Sequence, residues 1–419
     1  MDRFVINGGV ALKGEVAIGG SKNAALPLIA ATLLTAERCV IHGVPNLSDT
    51  RYMATILQEL GAEAKFEDGT VTVEAKRIKT VADYDVVRKM RASFCVFGPL
   101  LGRHCKAKVS VPGGCVIGPR PIDIHLKGFR ALGAEVDIQK GLVIANAKEL
   151  VGNTIFLGGR FGSTVTGTAN VMMAAVLAKG TTVIECAACE PEVVDVAEFL
   201  NKMGAQIHGA GSPTMTIHGV ERLHGAEHTV IADRIEAATF MTAAAITGGD
   251  VRLKGARAEH LGAVIDKFRE SGIRVERSGP DLVVKGDGAR KPADVVTMPY
   301  PGFPTDVQAQ FMTLMAVTPG ISVITEKIYP ERFMHVAELG RLGADISLEG
   351  ASAIVKGVAR LSGAPIMASD LRASAALVLA GLVAQGKTRV NRVYHIDRGY
   401  EKIDDKLRAL GARIERQKQ

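Results

Sequence analysis

Pro191-Glu192-Val193-Val194-Asp195-Val196-Ala197-Glu198-Phe199-Leu200-Asn201-Lys202-Met203-Gly204-Ala205 reads as one complete helix with its start and its stop. Proline suits a first helical turn, where its missing N–H is not needed. Val193, Val196, Ala197 and Leu200 then fall at i, i+3, i+4 and i+7, an amphipathic stripe. Gly204 follows as a left-handed cap would. Strand-like runs come next, at residues 205–207 and 214–218.

The end of this stretch recurs along the chain. Leu60-Gly61-Ala62, Leu132-Gly133-Ala134, Met203-Gly204-Ala205, Ser271-Gly272-Ile273, Leu342-Gly343-Ala344 and Leu410-Gly411-Ala412 are spaced by 68 to 72 residues. A period this regular signals internal duplication, and six units account for the whole chain. Ile403, Leu407 and Leu410 repeat the amphipathic stripe in the sixth unit. Each unit holds a second helix of another kind, starting near Ser21, Arg91, Ser163, Ile235, Thr305 and Leu371. These segments are small and apolar on all faces, so they are expected to be buried. Gly180, Gly248-Gly249, Gly320 and Gly386 stop several of them.

Buried helices, amphipathic helices and strands in repeated order predict an α/β (or α+β) architecture. Six units divide as three and three. Residues 21–229 are expected to form one domain, and residues 1–20 with 230–419 the other. The opening strands, 4–6 and 15–18, are expected to complete the last unit. Two chain crossings would then join the domains and permit hinge closure over a cleft holding the active site.

The 419 residues are 47% hydrophobic and 23% charged, as in an ordinary globular protein. Trp is absent and aromatics make up 5%, which disfavours base-stacking platforms. The net charge of +7 points to anionic partners, and the scatter of Lys and Arg favours small substrates over nucleic acid. Residues 1–7 lack the apolar core of a secretory signal, and no apolar run reaches transmembrane length. The expected setting is therefore the cytoplasm, with no membrane insertion and with the six cysteines reduced. Cys186-Ala187-Ala188-Cys189 has no second pair to make a zinc site. The ten His show no metal-ligand spacing, and neither Walker A nor Rossmann glycine patterns fit. No metal or cofactor is expected.

Pro112-Gly113-Gly114-Cys115-Val116-Ile117-Gly118-Pro119-Arg120-Pro121-Ile122-Asp123 can be neither helix nor central strand. It reads as a loop that holds a thiol beside a guanidinium, and Arg120 would favour the thiolate of Cys115. Two readings stay open from the residues alone: a reactive thiol on a catalytic lid, or a small buried hydrophobe.

Cations gather where the buried helices begin. Lys22 and Asn23 open the first, Arg91 the second, and Arg160-Phe161-Gly162-Ser163 lead into the third. Asp306 opens the fifth after Phe303-Pro304-Thr305, and Asp370 with Arg372 the sixth. A cation at a helix N-terminus opposes the helix dipole unless an anion is bound there. For each residue alone a solvated surface charge is the competing reading, and Asp306 is an ordinary first-turn acid. Repetition favours a shared trap for phosphate and carboxylate.

Taken together, Ser21-Lys22-Asn23-Ala24-Ala25-Leu26-Pro27, Met90-Arg91-Ala92-Ser93, Pro112-Gly113-Gly114-Cys115, Gly118-Pro119-Arg120-Pro121-Ile122-Asp123, Phe303-Pro304-Thr305-Asp306, Glu331-Arg332-Phe333-Met334 and Asp370-Leu371-Arg372-Ala373-Ser374 resemble the enolpyruvyl transferase family. The likeness is to its bacterial UDP-N-acetylglucosamine 1-carboxyvinyltransferases, and it runs from about residue 1 to 415 in order and spacing. It implies a pair of inside-out α/β barrels, each of three repeats with helices inside. It implies transfer of the enolpyruvyl group of phosphoenolpyruvate to the 3-hydroxyl of UDP-N-acetylglucosamine. That is the first committed step of peptidoglycan synthesis, with its consequences for cell wall, shape and division. The nearest rival within the fold is 5-enolpyruvylshikimate-3-phosphate synthase, which lacks the Pro-Gly-Gly-Cys loop. A catalytically idle sugar-nucleotide binder is a rival of another class.

The resemblance also implies roles. Lys22, Asn23, Arg120 and Arg398 would bind phosphoenolpyruvate, with Arg332 and Arg372 on its phosphate or carboxylate. Asn23, Arg91, Arg120, Pro121, Ile122, Asp123, Ile124, Arg160, Phe161, Gly162, Ser163, Asp306 and Ile328 would hold the sugar nucleotide. Many relatives carry other residues at Phe161-Gly162. Cys115 would be the general acid, form a covalent thioketal with phosphoenolpyruvate and be the target of fosfomycin. Asp306 would be base and orienting group, and Asp370 a support.

Overall fold

The computed structural model describes residues 2–87, 90–111 and 122–418. Cys115, Arg120, Pro121 and the rest of the 112–121 loop lie outside the described residues.

Six four-stranded sheets share one strand order. In the third, Thr154–Phe156 runs parallel to Thr181–Glu185, which pairs antiparallel with Thr214–His218, itself antiparallel to Gln206–His208. Each sheet repeats this pattern of one parallel and two antiparallel pairings. In four of the six the buried helix is the crossover between the two parallel strands, as parallel pairing requires. Helix Val165–Ala175, for example, joins Thr154–Phe156 to Thr181–Glu185.

The chain forms two compact units, one drawn from residues 20–231 and the other from 2–19 with 232–418. Each has its own core. The helices Lys22–Ala31, Phe97–His104 and Val165–Ala175 lie in the first, and Arg234–Thr247, Thr305–Ala316 and Leu371–Val383 in the second. Strands around them alternate buried and exposed residues, as one-sided sheets do, for instance in Thr70–Glu74 and Asp281–Lys285.

The opening strands divide their allegiance. Asp2–Asn7 sits between Lys387–Asn391 and Arg413–Lys418, so the sixth sheet is assembled from both ends of the chain. Lys13–Ala17 does not join it. That strand pairs parallel with Asp250–Lys254 in the fourth sheet, with Val16 opposite Leu253. The reason lies in the repeat itself. Each sheet takes its outer parallel strand from the segment before a buried helix, and the two segments at the unit boundary are exchanged. Glu227–Thr229 correspondingly pairs with Cys39–His42 in the first sheet.

Two further expectations are corrected. The second buried helix does not start at Arg91 as an apolar α-helix. Arg91–Val96 is a 3-10 turn, and the α-helix is Phe97–His104. The Ser93 hydroxyl donates back to the Met90 and Val87 carbonyls and tightens that turn. A Cβ on Gly98 would stand 2.1 Å from the Asn170 carbonyl oxygen, so this short helix presses backbone to backbone on its neighbour. The other buried helices are also not apolar all round. Thr239, Thr242, Gln308, Gln310 and Thr313 are fully buried. The three threonine hydroxyls bond to carbonyls one turn back, which makes their burial tolerable.

Candidate functional site

In the unit of residues 20–231, Ser21 caps helix Lys22–Ala31: its Oγ accepts from Ala24 N–H. Its own N–H donates to the Ile231 carbonyl at 2.7 Å. A Cβ on Gly20 would lie 1.8 Å from the Gly43 carbonyl oxygen, so only glycine admits this entry into the helix. Lys22 is 8% exposed, not a solvated surface charge. Its Nζ sits 2.8 Å from Asp49 Oδ2, at the start of helix Ser48–Glu59. That carboxylate offsets a cation placed against the dipole. Asn23, the next residue, faces solvent.

Arg91 opens the 3-10 turn and is half-buried. Asn170, from the buried helix Val165–Ala175, fixes that turn: its Nδ2 donates to Phe94 O at 2.9 Å and its Oδ1 accepts from Gly98 N at 2.6 Å. His125 stands edge-on to the Phe94 ring. Burial, with help from the Arg91 charge, lowers its pKa to about 3, so the ring is neutral in ordinary buffers. Ile122 is buried, and Asp123 and Ile124 begin helix Asp123–Ala131. Ile124 packs on Gly159, just before Arg160: a Cβ there would lie 2.5 Å from Ile124 Cδ1. Gly159 and Gly162 exchange two backbone hydrogen bonds across Arg160 and Phe161. Gly162 has φ +96°, a conformation that favours glycine. This turn presents Phe161, 45% exposed, with the Arg160 guanidinium 5.3 Å from the ring centre. A flat, accessible ring backed by a cation can stack on a planar heterocycle.

In the other unit one carboxylate stands between two buried guanidinium groups. Asp306, in the first turn of helix Thr305–Ala316, has Oδ1 2.8 Å from Arg332 Nη1 and Oδ2 3.3 Å from Arg372 Nη2. Arg332 and Arg372 are 7% and 2% exposed. Burial works against both charges, and it is outweighed: Asp306 and Asp370 sustain Arg332, while Tyr400 and Asp306 sustain Arg372, so both pKa values are raised. Arg372 also faces the Tyr400 ring at 5.3 Å. Its buried Nη1 has no hydrogen-bond partner among the described residues. That unpaired guanidinium donor is what an anion would satisfy.

Asp370 caps helix Leu371–Val383 and accepts from Arg372 N at 2.9 Å and Ala373 N at 3.1 Å. It thereby fixes the backbone from which Arg372 projects. Arg398 ends the 3-10 turn Val393–Arg398 and is half-buried. Burial and then the Arg398 charge lower the pKa of nearby His395. Ile328 N–H donates to Glu326 Oε1 at 2.9 Å, which ties this residue to the Asp306 neighbourhood through a fully buried carboxylate.

Thus Asp306, Arg332, Arg372 and Asp370 come together in one unit. Arg91 with His125, and Ile124 with the Arg160–Ser163 turn, come together in the other. Sequence reasoning missed Asp49, Asn170, Glu326 and Tyr400. Asp49 reads as an ordinary acid of a first helical turn, and Asn170 as one polar residue in an apolar run. Glu326 carries a signal in hindsight, a lone acid closing the strand Ile321–Thr325 before an irregular segment. Among the described residues no group of His, Cys, Asp and Glu could hold a metal ion. No described helix is long and apolar enough to cross a membrane.

Comparisons with known proteins agree with this architecture. The family described as EPSP synthase (3-phosphoshikimate 1-carboxyvinyltransferase) matches residues 6–407. The chain is 56% identical over 416 residues to the UDP-N-acetylglucosamine 1-carboxyvinyltransferase of Methylacidiphilum infernorum (isolate V4), covering 99% of each chain. It is 54% identical over 419 residues to the protein of that name from Akkermansia muciniphila, with 99% of each chain covered. Among solved structures, the enolpyruvyl transferase NikO from Streptomyces tendae superposes with a TM-score of 0.90 at 25% identity, over 99% of this chain and 98% of that one. The chain belongs to the enolpyruvyl transferase family whose model bears the EPSP synthase name. Its fold is that family's, built from six repeats with buried helices.

Proposed function

We propose that the chain transfers the enolpyruvyl group of phosphoenolpyruvate to the 3-hydroxyl of UDP-N-acetylglucosamine and releases phosphate. The observation that carries this reading is the Asp306–Arg332–Arg372 cluster, an anion-seeking site with a carboxylate at its edge. The names of relatives more than half identical over nearly the whole chain support the choice of acceptor. The reaction would open peptidoglycan precursor synthesis, in the cytoplasm, where both substrates are made.

The chemistry follows from residue types. Bound phosphate offsets the Arg120 and Lys22 charges that favour the thiolate, so Cys115 holds its proton and gives it to the methylene carbon of phosphoenolpyruvate, leaving an oxocarbenium-like centre at C2. General acid catalysis of this kind contributes about 10²–10⁴-fold. The sugar 3-hydroxyl attacks C2 while Asp306 takes its proton. Arg120, Arg332, Arg372, Arg398 and Lys22 balance the phosphate and carboxylate charge. The tetrahedral adduct then loses a proton from the new methyl group and expels phosphate, giving the enolpyruvyl ether. Asn23, Arg91, Pro121, Ile122, Asp123, Ile124, Arg160, Gly162, Ser163 and Ile328 hold the sugar nucleotide, and Phe161 offers its ring to the uracil. The covalent thioketal at Cys115 and its alkylation by fosfomycin belong to the same proposal. Loss of both alkylation, seen by intact mass, and most turnover in Cys115→Ser is the expected outcome. Unchanged turnover in that variant would remove the thiol from the mechanism.

The family model's own description favours a second acceptor, 3-phosphoshikimate. Phosphate release measured with each acceptor separates the two. Tight binding of UDP-N-acetylglucosamine with no release from phosphoenolpyruvate would instead mark an idle sugar-nucleotide binder.

A further inference from the structure

Glu326 is the most thoroughly engaged carboxylate beside the candidate site, and no role assigned so far uses it. It is fully buried, yet its direct contacts include no cation: no described ion pair involves it. Its Oε1 accepts from Thr297 Oγ1 at 2.6 Å and from Ile328 N and Tyr329 N at 2.9 Å each. Its Oε2 accepts from Thr305 Oγ1 at 2.9 Å. Because the Thr305 proton is committed to Glu326, the hydroxyl oxygen is left as an acceptor on its other side. There it receives Arg332 Nη1 at 3.0 Å. The same Nη1 reaches Asp306 Oδ1 at 2.8 Å.

From this geometry we propose that Glu326, acting through the Thr305 hydroxyl, is a positioning residue that holds the Arg332 guanidinium and so aims the Asp306 carboxylate. A buried carboxylate is costly unless its oxygens are satisfied, and four donors satisfy these. The result is a fixed polarity, from Arg332 through Thr305 to Glu326. Without it, Arg332 Nη1 has only Asp306 to bind, and the carboxylate turns toward the guanidinium rather than toward an incoming hydroxyl. The same carboxylate orders the backbone of Ile328 and Tyr329. One buried group therefore sets both the acid and the neighbouring main chain.

The inference rests on the proposed enolpyruvyl transfer, and the two fail in different ways. If the wild type releases no phosphate with UDP-N-acetylglucosamine, the functional reading fails. The test of Glu326 compares Thr305→Val, Thr305→Ser and Glu326→Gln in steady-state phosphate release, with sugar-nucleotide affinity measured separately. Thr305→Val keeps the side chain's shape and leaves three of the four bonds to Glu326, so the protein should fold. We expect its kcat to fall on the order of 10²-fold, as small misplacements of reacting groups do. Its KM for phosphoenolpyruvate should change far less. Thr305→Ser restores the hydroxyl and should restore most of kcat. Combined with Glu326→Gln, Thr305→Val should add little to either single loss, because both break one link. A Thr305→Val enzyme with wild-type kcat overturns the proposal. So does equal loss of kcat in Thr305→Ser, or purely additive effects in the double variant.

Discussion

The two units share a backbone plan and differ in what they place where buried helices start. In residues 20–231 a buried lysine forms an ion pair with an aspartate. In the other unit one aspartate serves two buried arginines, and one guanidinium nitrogen of Arg372 has no hydrogen-bond partner among the described residues. Duplication of the fold therefore supplied the position, the N-terminus of a buried helix, and not the chemistry. One site pairs a lysine with an aspartate, and the other sets an aspartate between two arginines. Each unit also holds a buried neutral histidine near an arginine, His125 by Arg91 and His335 by Arg332.

The sharpest way to break the comparison is to remove one acid from each unit. Asp306→Asn should lower kcat by about 10²–10⁴-fold, the usual share of a general base. It should also cost about 3–5 kcal/mol of stability, because two buried cations lose their counter-charge. Asp49→Asn leaves a single lysine, which can shed its proton as arginine cannot, so its stability loss should be the smaller of the two. Denaturant midpoints for both variants check this order. Equal losses would show that serving two arginines adds nothing to the aspartate's share of stability.

Acid should weaken the two units through their histidines. The folded-state pKa values, about 3 for His125 and about 4 for His335, lie below the unfolded value near 6.5. Both rings are neutral when folded and bind protons when unfolded. Their contribution is thus intact above pH 6.5 and is lost as pH falls, at up to about 1.4 kcal/mol per pH unit for each ring. His125 keeps losing down to about pH 3, His335 only to about pH 4. Urea midpoints from pH 7 to 4 should fall less steeply in His125→Gln than in the wild type. An unchanged slope would mean that the ring titrates freely in the fold.

The smallest stability effect is expected at the exposed turn of the first unit. Phe161→Ala should move the unfolding midpoint by no more than about 0.5 kcal/mol, as surface changes do. It should raise KM for the sugar nucleotide and leave KM for phosphoenolpyruvate alone. Equal rises in both KM values would detach Phe161 from the nucleotide.

Much of the fold was legible because it is written six times. Glycine at the end of each amphipathic helix marks a left-handed cap, and Gly61, Gly133, Gly204, Gly272, Gly343 and Gly411 all have positive φ. The strand exchange at the unit boundary was not legible: Lys13–Ala17 has a pattern that fits either neighbour, and only pairing decides. The helix starts flagged Lys22 and Arg372 as cations set against the dipole, while Asp306 read as an ordinary first-turn acid, and pattern alone could not tell burial from solvation. Asp49, Glu326 and Tyr400 were invisible because they lie 27, 21 and 28 residues from Lys22, Thr305 and Arg372, at distances set by the fold. The thiol loop 112–121 remains a reading of sequence and resemblance.

The central claim is that this site joins phosphoenolpyruvate to the sugar nucleotide. It is tested most directly by phosphate release from phosphoenolpyruvate with UDP-N-acetylglucosamine, with 3-phosphoshikimate, and with no acceptor. The account predicts release only with UDP-N-acetylglucosamine, matched by one enolpyruvyl ether formed per phosphate. Release that ignores the acceptor, or that requires 3-phosphoshikimate, would contradict it.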